Sequence, residues 1–157
     1  KKNFRFHKNL GGGALYDVGF YPISIMFTLF KSKKIKLLKS KIIRQNRLDL
    51  MGNVNAQNEN NVIFDLDWGF RSSYKNSLIV YGTEGSLLVD FIFSKDVIQD
   101  GKIIIYRKKK SKVIKVSKSN QINLAFKDML SNKSKLFNER YQTSLSILNI
   151  IERLEKK

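Results

Sequence analysis

The sequence predicts an α+β fold: a mainly antiparallel open sheet of about six or seven strands with helices packed on one face. Three observations carry it. Residues 14–30 are apolar over a length that suits a helix, short runs between 34 and 116 alternate apolar with polar residues, and helical spacing returns after residue 120. Short turns between the runs imply antiparallel neighbours.

Residues 3–7 read as a short extended stretch leading into Leu10, Gly11, Gly12 and Gly13. The helix of 14–30 is apolar around nearly its whole circumference, which predicts burial. Pro22 lies inside it, removes one backbone donor and crowds the carbonyl of Val18, so a kink is expected there. Residues 34–44, 53–58 and 61–69 read as strands, the last alternating Val62, Phe64, Leu66 and Trp68 against Ile63, Asp65 and Asp67. Asp65 and Asp67 share one face, where pairing with lysines of a neighbouring strand is the expected role.

The runs 78–81 and 86–89 form a hairpin around Gly82, Thr83, Glu84 and Gly85, with glycine expected to supply positive φ. A second hairpin joins 103–107 to 112–116 through a lysine-rich tip. Ile122, Phe126, Met129 and Leu130 then take helical spacing, as do Tyr141, Leu145 and Leu148 with Ile147, Ile151 and Leu154 beside them. Two helices close a chain that reads as one domain over 1–157. The large apolar residues Phe64, Leu66, Trp68, Ile79, Tyr81 and Leu88 exceed what one helix pair covers, so part of the sheet is expected to stay open and to pair with a second copy.

The chain has 157 residues, 42% of them apolar, enough for one core. It contains no cysteine, which excludes a catalytic thiol, a zinc–thiolate site and a disulfide within these residues. No metal site is expected. No apolar run reaches the length of a membrane span and no signal peptide is visible, so a cytoplasmic protein without a membrane partner is expected. The net charge is +17, carried by 23 lysines against 7 arginines. Two runs without an acid, 31–47 and 102–118, are the candidates for a nucleic-acid partner. Lysine without interleaved arginine and aromatic residues fits solvated strand edges better, which makes nucleic acid the secondary reading.

Three glycines invite a dinucleotide-binding fingerprint, but from Gly11 the G-x-G-x-x-G spacing requires glycine where Tyr16 stands. No phosphate-binding P-loop occurs either. On the helix, Gly13, Asp17, Tyr21, Ser24 and Thr28 fall on one face by i, i+4 and i, i+3 steps. A polar stripe on an apolar helix either satisfies itself or lines a cleft. His7 is the single histidine and has no acidic neighbours; it is read as surface or cleft rim.

The segment LGGGALYDVGFYPIS, residues 10–24, resembles the motif that opens the second domain of the Gfo/Idh/MocA oxidoreductases, glucose-fructose oxidoreductase and inositol dehydrogenase among them. YKNSLIVYGTEGSL, residues 74–87, resembles that family's sheet hairpin, and 120–154 its closing helices. The resemblance implies a C-terminal substrate-binding and oligomerisation domain that a Rossmann domain with the catalytic lysine precedes, the start at Lys1 falling near the expected boundary. It implies NAD or NADP in the full-length enzyme and none bound to these residues alone.

The family pattern reads G-G-G-x-x-x-D-x-G-x-H-x-x-D. Asp17 and Gly19 match it, Tyr21 stands at the histidine position, and Ser24 replaces the last acid, so inositol-type contacts are not carried over. Tyrosine there resembles the branch in which that group exchanges a proton with a sugar or polyol hydroxyl. The resemblance thus implies Tyr21 and Asp17 as catalytic residues, Arg5, Lys8 and Ser24 as contacts to a sugar-like substrate, and Gly12 and Gly13 as positions where the backbone nears the cofactor. It also implies a homodimer through the sheet face. A non-catalytic sugar-sensing regulator of the same fold is the alternative.

Overall fold

The computed structural model describes residues 3–131 and 134–156. In chain order it contains 3-10 turns at Phe4–Phe6 and Lys8–Leu10, a π-helical turn at Leu15–Gly19, and helix α1 at Phe20–Thr28. Strands β1 (Ile35–Gln45), β2 (Leu48–Asn58), β3 (Ile63–Gly69), β4 (Ser77–Gly82), β5 (Gly85–Asp90), β6 (Gly101–Arg107) and β7 (Lys110–Val116) follow. Helices α2 (Gln121–Leu130) and α3 (Ser134–Glu155) close the order. The class is α+β with seven antiparallel strands, as the sequence predicts. They form two sheets, β1-β2-β3 and β4-β5-β6-β7, because 70–76 carries no ladder between β3 and β4. Two compact units result, Lys1–Ser72 with Ser134–Lys157, and Ser73–Lys133.

In the first unit the alternation of β3 turns Phe64, Leu66 and Trp68 inward. Their register partners on β2 are Ala56, Val54 and Gly52, small residues that leave room for the larger rings. Ala14, Leu15, Ile23, Met26 and Phe27 pack onto this face, with Ile147, Ile150, Ile151 and Leu154 of α3 at one-turn spacing. Each such large apolar side chain is worth about 1.5–3 kcal/mol of transfer free energy. Phe30 meets Phe64 edge to face at 5.1 Å.

Of the six apolar residues expected to exceed what one helix pair covers, Phe64, Leu66 and Trp68 are core, while Ile79 and Tyr81 of the second sheet are exposed. Other expectations are corrected. Residues 3–7 are not extended, since the Asn3 side chain accepts the Arg5 N–H at 3.1 Å and caps a 3-10 turn. Pro22 causes no break: the helical segment runs on through it, without the regular hydrogen bond back to Val18. The irregularity lies upstream, in the π turn. The helical segment is not buried all round either: Tyr16, Tyr21 and Leu29 are exposed. On α3 the buried stripe is Ile147, Ile150, Ile151 and Leu154, with Tyr141, Leu145 and Leu148 outside. β2 begins earlier than its alternation suggests. Asn46 and Arg47 take positive φ (51° and 64°) and close a two-residue turn, and Gly52 interrupts the pattern where the Trp68 ring leaves no space for a Cβ.

In the second unit each strand pairs with its sequence neighbour. Neither Gly82 nor Gly85 has positive φ, contrary to the expectation from the turn. A Cβ at Gly85 would instead strike the Tyr106 carbonyl oxygen. Asn120 caps α2 by accepting the Asn123 N–H at 3.0 Å. The first lysine run coincides with the edge strand β1, and the second covers β6, its turn and the edge strand β7; on both edges a row of ammonium groups opposes edge-to-edge pairing.

Candidate functional site

The motif residues are assembled by two carboxylates. Asp17 lies in the π turn, and its Oδ2 accepts the Arg5 Nε–H at 2.7 Å. This ties the first 3-10 turn to the helical segment; the same guanidinium lies over the Phe4 ring, 5.2 Å from its centroid. Asp49, at the start of β2, reaches back to accept the Leu15 N–H at 2.5 Å. That donor belongs to the first turn of the helical segment, and Ala14 makes no side-chain cap there. A strand carboxylate therefore caps the helix that carries Asp17 and Tyr21, at the end where the dipole favours negative charge.

The glycines answer to this packing. A Cβ at Gly12 would lie 2.5 Å from the Arg5 carbonyl oxygen and 2.6 Å from that of Phe4. At Gly13, with φ +131°, it would strike Asp49 Oδ1. Gly13 N–H donates to the Arg5 carbonyl at 3.0 Å. Internal groups thus occupy the Cβ positions of Gly12 and Gly13, while Gly11 and Gly12 also line an open cavity.

Tyr21 stands in the first turn of α1, is 44% exposed, and touches the Phe20 ring at 6.1 Å. The Ser24 hydroxyl donates to the Tyr21 carbonyl at 2.7 Å and the Thr28 hydroxyl to the Ser24 carbonyl at 2.9 Å. The lower part of the polar stripe is thereby satisfied by the helix itself. Lys8 lies apart from the Arg5–Asp17 pair, on the rim of a cavity of about 250 Å³ that Arg44, Arg47, Asp49 and Glu155 also line. The carbonyl of His7 accepts the N–H groups of Leu10 and Gly12. Asp65 does not pair with lysine. Its Oδ1 accepts from the amides of Asn53 and Asn55 at 2.8 and 2.9 Å, because β2 separates β3 from the lysine-bearing β1.

Sequence reasoning did not find Asp49 or the contact of Tyr16 with Glu155. An isolated acid at the head of a strand carries no local signal that its partner stands 34 positions earlier. Tyr16 donates to Glu155 Oε2 at 2.7 Å; that hydrogen bond, followed by burial and nearby negative charge, raises the phenol from 10.0 to about 12. The neutral phenol is the form the fold favours. Its stabilisation is complete below pH 10 and is lost as pH rises from 10 to about 12, where the unfolded chain releases the proton first. Urea unfolding of the wild type is expected to weaken across that interval, and Tyr16→Phe to remove this part of the decline.

Residues 1–88 match the family model of the GFO/IDH/MocA C-terminal domain. The dTDP-3,4-didehydro-2,6-dideoxy-alpha-D-glucose 3-reductase of Saccharopolyspora spinosa is 30% identical over 107 residues, 68% of this chain and 32% of the relative. Among solved structures, KijD10, a 3-ketoreductase from Actinomadura kijaniata in complex with TDP-benzene and NADP, superposes in its tyrosine-to-phenylalanine form with a TM-score of 0.78 and 19% identity. The match covers 90% of this chain and 46% of that one. A lysine-to-alanine form of the same enzyme gives 0.74 and 19%, over 87% and 46%. These last likenesses are of fold. The chain spans about a third of the curated relative's length.

Proposed function

The chain belongs to the Gfo/Idh/MocA family through its C-terminal domain, and from that premise we propose that it is the substrate-binding half of a nicotinamide-dependent oxidoreductase acting on a nucleotide-linked sugar. The observation that carries the reading is the exposed phenol of Tyr21, one helical turn from a carboxylate that Arg5 holds in place. In this reading Tyr21 exchanges a proton with the substrate oxygen, Asp17 orients the neighbouring hydroxyl, and Arg5 positions Asp17. The relatives' names support the substrate class, and NADP in a solved neighbour supports the cofactor class.

The chain carries neither a G-x-G-x-x-G fingerprint nor a P-loop, so in this reading a Rossmann domain of the full-length protein holds the cofactor and Gly12 and Gly13 stand at its edge. Calorimetric titration of the isolated chain with NAD and NADP is expected to show no micromolar binding and no turnover. Micromolar affinity would overturn the assignment. In the full-length protein, oxidation of NADPH that depends on a dTDP-linked keto sugar supports the enzyme. Sugar binding without turnover would identify a regulator instead.

Self-association belongs to the same reading. On the outer face of the first sheet, register aligns Lys41, Asn53 and Asp67 in one row and Lys39, Asn55 and Asp65 in the next. A two-fold axis along the central strand sets the lysines of one copy over the aspartates of another. Sedimentation equilibrium at moderate salt and tens of micromolar protein is expected to show a dimer that Asp65→Lys with Asp67→Lys dissociates. A wild-type monomer would exclude this face.

A further inference from the structure

The four-stranded sheet of the second unit ends in a groove that the reading of Tyr21 does not use. Tyr81 is the register partner of Ser86, Ser86 of Tyr106, and Tyr106 of Ser111. Directly opposed residues share a face, so one row across all four strands alternates tyrosine with serine. Tyr81 is 82% exposed and Tyr106 47%. Their strands stand two spacings apart, about 9.5 Å, with only the Ser86 side chain between. Both rings line a groove of about 520 Å³, open to the loop that joins β6 to β7.

Four consecutive basic residues, Arg107, Lys108, Lys109 and Lys110, form the other wall. Arg107 is paired with Glu84, and the described lining residues include no acid. Lys108 and Lys109 both hold positive φ, 46° and 64°. A two-residue hairpin turn of this shape favours Asn-Gly, and lysine is strained in it. The turn thus forgoes local stability while setting two ammonium groups at the mouth of the groove. Discouraging edge pairing explains lysines along β7, but neither the paired tyrosines nor lysines in the turn itself.

Exposed ring faces, hydroxyl donors and uncompensated ammonium groups together suit a planar ring that carries phosphate: the rings stack, and the donors meet the phosphate oxygens. We propose that this groove binds a nucleotide unit, its base between Tyr81 and Tyr106 and its phosphate against Lys108, Lys109 and Lys110. A free nucleotide and one link of a single strand offer the same chemistry. The site lies within the second unit and does not depend on the reading of Tyr21.

The test is calorimetric titration of the chain at about 0.15 M salt with uridine diphosphate, uridine, inorganic pyrophosphate, heparin and a uridylate decamer. The diphosphate is expected to bind at least about tenfold more tightly than uridine or pyrophosphate, and Tyr81→Ala and Tyr106→Ala each to weaken it about fivefold or more. Lys108→Asn with Lys109→Gly is expected to raise the Tm yet weaken binding. Both tyrosines are exposed enough for truncation to leave the fold intact, which circular dichroism of each variant verifies. Binding of the decamer alone, with the same tyrosine dependence, supports the site and identifies a strand as its source. Pyrophosphate or heparin binding as tightly as any nucleotide would overturn the proposal, as would tyrosine variants without effect or no binding by any probe.

Discussion

If the proposed function holds, changing Tyr21 to phenylalanine in the full-length protein is expected to lower kcat by about 10²- to 10⁴-fold, the usual contribution of a positioned acid or base, with cofactor affinity nearly unchanged. Phenylalanine keeps the ring contact with Phe20, and the Ser24 hydroxyl is bonded to the Tyr21 carbonyl, which every residue supplies. The change removes the phenolic hydroxyl. A fall in kcat with KM for the sugar within about threefold separates proton transfer from a binding role, since an interaction made only in the transition state leaves ground-state affinity alone. Turnover within about threefold of wild type would mark Tyr21 as structural.

Gly13→Ala is expected to destabilise the isolated chain by about 3 kcal/mol. Two effects act together. A φ of +131° is costly for any residue with a Cβ, about 1–3 kcal/mol. The new methyl also occupies the position of Asp49 Oδ1, so the carboxylate must leave and the Leu15 N–H loses its acceptor, about 1–3 kcal/mol more. Gly11 is the internal control. It has φ +74° but open space around the missing Cβ, so Gly11→Ala should cost only about 1 kcal/mol. Because Gly13 and Asp49 meet, Gly13→Ala with Asp49→Ala should cost less than the sum of the single changes. Urea denaturation midpoints measure all four proteins; equal losses at Gly11 and Gly13 would show that Asp49 does not press on Gly13.

Much of the fold was legible because its signals are local. Period-two alternation in 61–69 identified β3 and its inward residues, the glycine-flanked segment at 82–85 located a hairpin, and helical spacing after 120 placed α2 and α3. The polar stripe through Asp17, Tyr21 and Ser24 was readable from one helical period. Its fate was not. Whether a hydroxyl on a stripe turns to solvent or to a carbonyl one turn back depends on side-chain rotamers, and Ser24 and Thr28 took the carbonyl. Arg5 was expected at a substrate, and the fold gives its Nε–H to the carboxylate of Asp17, twelve residues away.

By itself the amino-acid sequence determined the class, the strand number to within one, the inward face of β3 and the helix face that carries Asp17 and Tyr21, because all of these follow from the periodicity of one element. Tertiary structure alone decided which partners meet across distance. It brought Asp49 to Leu15, Glu155 to Tyr16 and Asp65 to the amides of Asn53 and Asn55, and it split the strands into two sheets. A carboxylate contributes one charge and a few acceptor sites wherever it stands in a chain. Which donor it receives is set by the strand order and the turn between elements, and neither is encoded in the few residues around it.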